Sequence, residues 1–407
     1  MTRPIKHFLV AHGASAFALG IHQVLLAWLA ISLLQVEAHQ LGWVQAAGLI
    51  PNLVLMLVSG SLADKRSTYR MMLLAQLGLT LCYLFLVIVL SSGGIHYYWL
   101  LLYAVGVGSA NAFIQPAREK LIGELSDQSV QVKITRASIV QFSLQAVGIA
   151  VAGLSDQIGF TLVICLQVVV SVFAVLQLWV LTKQMDVMQE EENIVQPDSG
   201  LVSSTGLGPH ILEGVKVALA DSRIAQLIGL VSFNGFMHMG LYIVAIPLLA
   251  RDAYGFNALQ YGFLQLCFVM GMLSAYLLLM FKPQIEFPAQ GALFSLLYAA
   301  IVGFALSRQP TVAGLYILIV FWGWIAGHSA THCRMLMQIL AGPKMKGRMM
   351  SLYQLMLFGM APLGALTTGY YTSLFSLSTI FTVLSGASVA LFLVFMFARS
   401  LWVVRQI

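Results

Sequence analysis

Charge is what this 407-residue chain has least of. Only 9% of its residues are Asp, Glu, Lys or Arg, against about a quarter in an ordinary soluble domain. Hydrophobic residues make up 59% and the mean hydropathy is +0.89. So few charges cannot clothe a water-facing surface, and the expectation is an all-α integral membrane protein. Short alternating segments of the kind that build an outer-membrane barrel are missing too, because the apolar runs are continuous. The first run is far longer than the apolar core of a signal peptide and no small-residue cleavage site follows it, so it is expected to stay in place. Cys82, Cys165, Cys267 and Cys333 fall in four different apolar segments and suggest packing, not disulfides or a redox pair. No phosphate-binding loop, nucleophile elbow or other catalytic signature is present. An ATP-driven pump and an enzyme are thereby excluded within this chain, no cofactor is implied, and any work must come from an ion or substrate gradient.

What is present is a series of apolar runs long enough to cross about 30 Å of hydrocarbon. Twelve are expected, near residues 8–34, 41–63, 71–91, 96–117, 136–157, 158–182, 224–250, 258–281, 287–307, 311–333, 348–372 and 377–402. Their orientation follows from the basic residues. With both termini in the cytoplasm, all of the 21 Lys and Arg except Arg251 and Arg308 fall on the cytoplasmic side. The net charge of +6 therefore reflects membrane orientation, and no soluble basic domain exists to bind nucleic acid. The expected location is a cell inner membrane, crossed many times.

The long polar stretch Lys183 to Ser222 carries Glu190-Glu191-Glu192 and a Pro, Gly and Ser-rich run, and reads as a linker. From His210 to Ala220 it has the pattern of an amphipathic surface helix. The expected domains are 1–182, a cytoplasmic linker 183–222, and 223–407, six segments on each side. A shift of 216 positions places Arg118 on Arg334, Gly148 on Gly364 and Gly153 on Gly369. Parallel repeats of this kind suit a transporter that rocks about a midplane site.

The hairpin between the second and third runs reads Gly60-Ser61-Leu62-Ala63-Asp64-Lys65-Arg66-Ser67-Thr68-Tyr69-Arg70. Asp64 ends its helix with an acid where the macrodipole prefers a cation, which implies a compensating partner. Gly60-x-Leu62-Ala63-Asp64-Lys65 with Arg70 downstream resembles the loop 2–3 motif of the major facilitator superfamily. Asn111-Ala112-Phe113-Ile114-Gln115-Pro116-Ala117-Arg118, Lys346-Gly347-Arg348-Met349 and Gly359-Met360-Ala361-Pro362-Leu363-Gly364 are similar to its drug-efflux and siderophore-export branch, which includes the enterobactin exporter. Thr68 and Tyr69 replace frequent basic residues, and the loop after segment eight, Phe281-Lys282-Pro283, lacks the motif. The resemblance implies a cytoplasmic latch of Gly60, Asp64, Lys65, Arg70, Arg118 and Arg348, with Arg118 as the partner of Asp64. It also implies a central cavity lined by segments one, two, four, five, seven, eight, ten and eleven, with three, six, nine and twelve facing lipid. The acid that many relatives carry in the first helix is absent from Gly20-Ile21-His22-Gln23.

Ionisable groups inside the membrane are costly and mark function. Here they are His12, His22, His238, His328 and His332, while no Asp or Glu falls near the bilayer centre. That disfavours a lipophilic cation as cargo and favours a neutral or anionic one. His22 and His238 are the candidates for proton coupling, since imidazole titrates near neutrality; a packed histidine bonded to a carbonyl is the other reading of each. Candidate cavity residues are Gln23, Asn52, Asn111, Gln115, Gln141, Gln145, Asn234, His328 and Gln354, for which interhelical hydrogen bonding is the alternative. Gln76, Gln167 and Gln177 lie off this pattern, in lipid-facing segments. His328 and His332 have metal-ligand spacing but no third ligand nearby in sequence, so no metal is expected. The expected function is a proton-coupled antiporter exporting a small organic compound such as a siderophore. A broad drug or macrolide efflux pump, and a non-transporting receptor or scaffold of the same fold, are the alternatives. Its partners are then substrate, protons and the lipid bilayer, and the residues set no oligomeric state.

Overall fold

The computed structural model describes residues 3–65, 67–124, 130–195, 221–281, 285–341, 346–402 and 404. Among them run twelve long helices. The first six are α1 (Arg3–Trp28, prolonged by a π-helical turn Leu29–Leu33), α2 (Ala38–Lys65), α3 (Thr68–Ser91), α4 (Tyr97–Glu124), α5 (Val130–Gly153) and, after a single turn Ser155–Ile158, α6 (Phe160–Val195). The seventh, α7, is composite: Ser222–Phe233 and Leu241–Leu248 are α-helical, and Asn234–Gly240 and Leu249–Ala253 are π-helical. It is followed by α8 (Ala258–Met280), α9 (Pro288–Ser307), α10 (Val312–Leu340), α11 (Lys346–Leu374) and α12 (Leu377–Ala398). Ten of these are long and apolar enough to cross a membrane. Of the other two, α5 holds the shorter apolar helix Ala137–Gly153, and α2 has 28 residues, about 42 Å at the α-helical rise.

Local sequence sets the helix starts. Asn257 and Gln260 form a reciprocal capping box at α8, Asp221 accepts from the Arg223 N–H at α7, and Thr311 and Ser376 cap α10 and α12. Hydrogen bonds from Arg223 hold the Asp221 carboxyl below the usual carboxylate range. One boundary differs from expectation: α6 runs on to Val195. The Glu190-Glu191-Glu192 run read as linker is therefore helical, since Glu, Gln and Met are all good helix formers. The amphipathic stretch His210 to Ala220 lies outside the described residues.

Contacts divide the chain into two compact units, Met1–Ala30 with Ala47–Leu207, and Ile31–Ala46 with Gly208–Ile407. In the first unit α1 packs against α5 and α6, and α3 against α4 and α6. In the second α8 packs against α10, α9 against α10 and α12, and the π-helical part of α7 against α11. The first unit exposes apolar stripes. Leu74, Leu81 and Ile88 on α3, and Leu162, Val169 and Leu176 on α6, recur every seven residues and are all exposed; such continuous apolar faces belong against hydrocarbon.

Two of the close helix crossings occur at glycines that the 216-position shift relates. A side-chain carbon on Gly148 of α5 would lie 2.1 Å from the Phe17 carbonyl oxygen of α1. One on Gly364 of α11 would lie 1.9 Å from the Phe236 carbonyl oxygen of α7. Only glycine permits either backbone contact. The starts of α2 and α8 are also alike, but in a different register. Gln40 accepts from the Glu37 N–H at 3.0 Å and Gln260 from the Asn257 N–H at 3.1 Å, residues 220 positions apart. The two offsets differ by four residues, about one helical turn.

Candidate functional site

Two of the sequence-predicted groups sit on α1. The His22 ring is buried, with Nδ1 2.8 Å from the Tyr103 hydroxyl of α4 and the two rings 5.4 Å apart. Tyr83 of α3 lies against Tyr103. One residue further along α1, Gln23 is exposed and accepts from the Gln145 side chain of α5 at 2.8 Å. His22 thus points into the helix bundle of its own unit, while Gln23 lies at its surface.

Hydrogen bonds between helices continue along this seam. His7 meets Gln177 at 2.8 Å, and Gln76 accepts from Ser15 and donates to Ser171, both at 3.0 Å. Thr80 shares a bond with Ser171 at 2.7 Å, and Gln167 donates to the Ala18 carbonyl at 2.9 Å. The three glutamines off the expected pattern are therefore clips tying α1 and α3 to α6. The pairs Gln76 and Thr80, and Gln167 and Ser171, are each four residues apart, a spacing that signals one shared helix face.

Removing the Tyr103 hydroxyl tests how much the seam contributes. Tyr103→Phe leaves a buried imidazole nitrogen without its partner and is expected to cost about 1–3 kcal/mol. The paired change His22→Phe with Tyr103→Phe should recover part of that loss, since removing both partners is cheaper than removing one. Thermal melts of the purified protein compare the two.

The second unit places Asn234, His238 and Tyr242 on successive turns of α7. Asn234 donates to Ser329 of α10 at 3.2 Å, and Ser295 of α9 donates to the same hydroxyl at 3.0 Å. Tyr242 donates to Gln265 of α8 at 2.9 Å, and Gln265 donates on to Tyr261 at 2.8 Å. Between them, His238 lies edge-on to Phe233 at 5.6 Å and to Trp322 of α10 at 6.3 Å. Both of its ring nitrogens are buried and have no hydrogen-bond partner among the described residues. His238 belongs to the π-helical segment Asn234–Gly240, a distortion that recurs at functional positions.

Along α10 the rings of Phe321, Trp324, His328 and His332 form a ladder, with successive centroids 5.5, 5.1 and 4.0 Å apart. Tyr298 of α9 lies against Phe321 and Trp324. His332 Nδ1 is 2.8 Å from the His328 carbonyl oxygen. The two imidazoles thus lie close together with their planes tilted by 31°.

Asn52 of α2, Asn111 and Gln115 of α4, Gln141 of α5 and Gln354 of α11 are each half-buried. Of the expected latch, the side chains of Asp64, Lys65 and Arg348, and the surroundings of Gly60, lie outside the described residues. Arg118 is half-buried on α4. Arg70 bonds Asp186 of α6 at 2.9 Å, and Tyr69 donates to the same carboxylate oxygen at 2.8 Å. That carboxylate was missed in sequence because it sits in the stretch read as linker. Tyr103, Trp322 and Ser329 were also not foreseen as partners; only contacts between helices reveal them.

The sequence matches the family described as the Major Facilitator Superfamily over residues 8–365. No curated protein sequence matches the chain. Among solved structures, the nucleoside transporter NupG is similar with a TM-score of 0.70 at 14% identity, covering 97% of this chain and 98% of that one. A bacterial homolog of the human lysosomal transporter Spinster gives 0.65 at 15% identity, covering 99% and 97%. A proton-dependent oligopeptide transporter gives 0.70 at 13% identity, covering 98% of each. At these identities the likeness is one of fold. This chain is a multi-pass membrane protein that belongs to the Major Facilitator Superfamily of transporters, and not an enzyme.

Proposed function

We propose that the chain is a secondary active transporter that exports a small neutral or anionic organic compound, of the siderophore kind, in exchange for protons. It would work by alternating access in an inner membrane, with both termini cytoplasmic. The observation that carries this reading is the His238 imidazole, which has no hydrogen-bond partner among the described residues although the polar groups beside it on α7 are bonded. A buried imidazole whose nitrogens are free to accept and donate is suited to take up a proton or a cargo group. Gln23, Gln145 and Asn234 provide neutral hydrogen-bonding groups on α1, α5 and α7. The proton-dependent oligopeptide transporter among the similar structures lends the coupling support by analogy of fold, and the efflux-like motifs in α4 and α11 favour export. His22, tied to Tyr103, is the second coupling candidate. Asp64, Lys65, Arg118 and Arg348 form the proposed latch, and Gly60 allows its close approach.

Comparative mass spectrometry of culture medium tests the reading. A strain lacking the gene is expected to stop releasing one metabolite, and the wild-type gene to restore release. Asp64→Asn should insert normally yet restore far less. An unchanged secreted profile in the deletion strain contradicts export.

A further inference from the structure

The segment between α1 and α2 is fixed by one side chain from a distant part of the chain. Ile31–Ala46 belongs to the second compact unit, and the π-helical turn Leu249–Ala253 at the end of α7 carries Arg251 to it. One guanidinium nitrogen, Nη1, donates to the carbonyl oxygens of Ile31 and Val36, at 3.3 and 3.2 Å. The other two donate to the Asp252 carboxylate, Nη2 at 3.1 Å. The carbonyls at a helix C-terminus lack intrahelical partners and carry the negative end of the macrodipole. A cation is the natural cap there, and the planar fork of arginine can hold two carbonyls and a carboxylate together. Between the two carbonyls the backbone turns sharply, with Gln35 at φ 48°, a conformation that side-chain-bearing residues resist. The first turns of α2 then cross α11 where Gly42 meets Gly369.

We infer that Arg251 is a positioning residue that pins the tip of the α1–α2 hairpin, residues 31–42, so that release of this pin accompanies opening at that end of the protein. Asp252 orients the guanidinium, and the strained turn at Gln35 makes the tip ready to leave once the bonds break. The contacts stand on their own geometry; only the purpose of release rests on the alternating-access reading. The inference also gives a task to Arg251, one of just two basic residues placed on the outer side by charge distribution.

Hydrogen–deuterium exchange of the full chain in lipid nanodiscs tests the pin without any cargo. In Arg251→Gln the backbone amides of 31–42 are expected to exchange about tenfold faster, the effect of losing the shared charge-assisted bonds to Ile31 and Val36. Peptides from α8 to α12 should keep their wild-type rates. Arg251→Lys retains the charge but not the fork and should also speed exchange at the tip. Unchanged exchange at 31–42 in Arg251→Gln overturns the pin, and wild-type exchange in Arg251→Lys overturns the fork geometry. Faster exchange throughout α8 to α12 in both variants shows a general support of folding and overturns the selective role. A transporter that fails the secretion test but shows the selective change keeps the pin and loses the proposed cargo.

Discussion

Gly364→Ala is expected to give little folded protein, and what folds should melt well below the wild type. A methyl group there would lie 1.9 Å from the Phe236 carbonyl oxygen, and neither backbone can yield without parting α11 from α7. Overpacking of this kind costs about 1–3 kcal/mol and occasionally more. Taking 3 kcal/mol for a backbone clash gives a melting decrease of roughly 6–12 °C in a unit of this size. Gly148→Ala should behave alike, because its contact with the Phe17 carbonyl repeats the geometry at 2.1 Å. Gly78 of α3 and Gly386 of α12 are the controls, since an added methyl meets nothing within 4 Å at either. Alanine there should leave stability unchanged or improve it slightly, in line with its better helix propensity. Fluorescence-detected size exclusion after heating separates the outcomes. Equal melting of all four variants would contradict the crossing geometry.

His238→Phe is expected to abolish gradient-driven transport while leaving the fold nearly intact. The side chain makes no hydrogen bond among the described residues, and phenylalanine keeps a ring beside Phe233 and Trp322. Little stability is lost, so the melting point should stay within about 2 °C of wild type. A missing proton carrier typically reduces a rate by about 10²–10⁴-fold, and release of the exported metabolite should fall accordingly. His22→Phe should differ in lowering the melting point, because Tyr103 loses its partner. Normal transport by His238→Phe would falsify the coupling role.

The sequence revealed the fold class readily, because membrane spans are written in uninterrupted apolar length. It was less able to show which polar groups meet. Gln76, Gln167 and Gln177 seemed out of place because lipid-facing helices were expected to be apolar all round; each turns an inner face to its own bundle and binds a hydroxyl, carbonyl or imidazole there. Gln145 was identified, but its pairing with Gln23 depends on the depth at which α5 crosses α1, which Gly148 sets. The repeat was legible at Gly148 and Gly364 and hidden at the starts of α2 and α8, since a four-residue change of offset defeats a single shift. Arg251 was visible as an outlying charge, yet nothing local indicated that its partners are backbone carbonyls some 215 positions earlier.

Transport by the purified chain in proteoliposomes is the most direct test. The metabolite missing from the deletion strain's medium is supplied at one side, and a pH gradient is imposed across the membrane. The account predicts counterflow of metabolite against protons, accumulation that grows with the gradient, and its collapse on adding a protonophore. Flux equal to that of protein-free liposomes, or flux indifferent to the gradient, would contradict it.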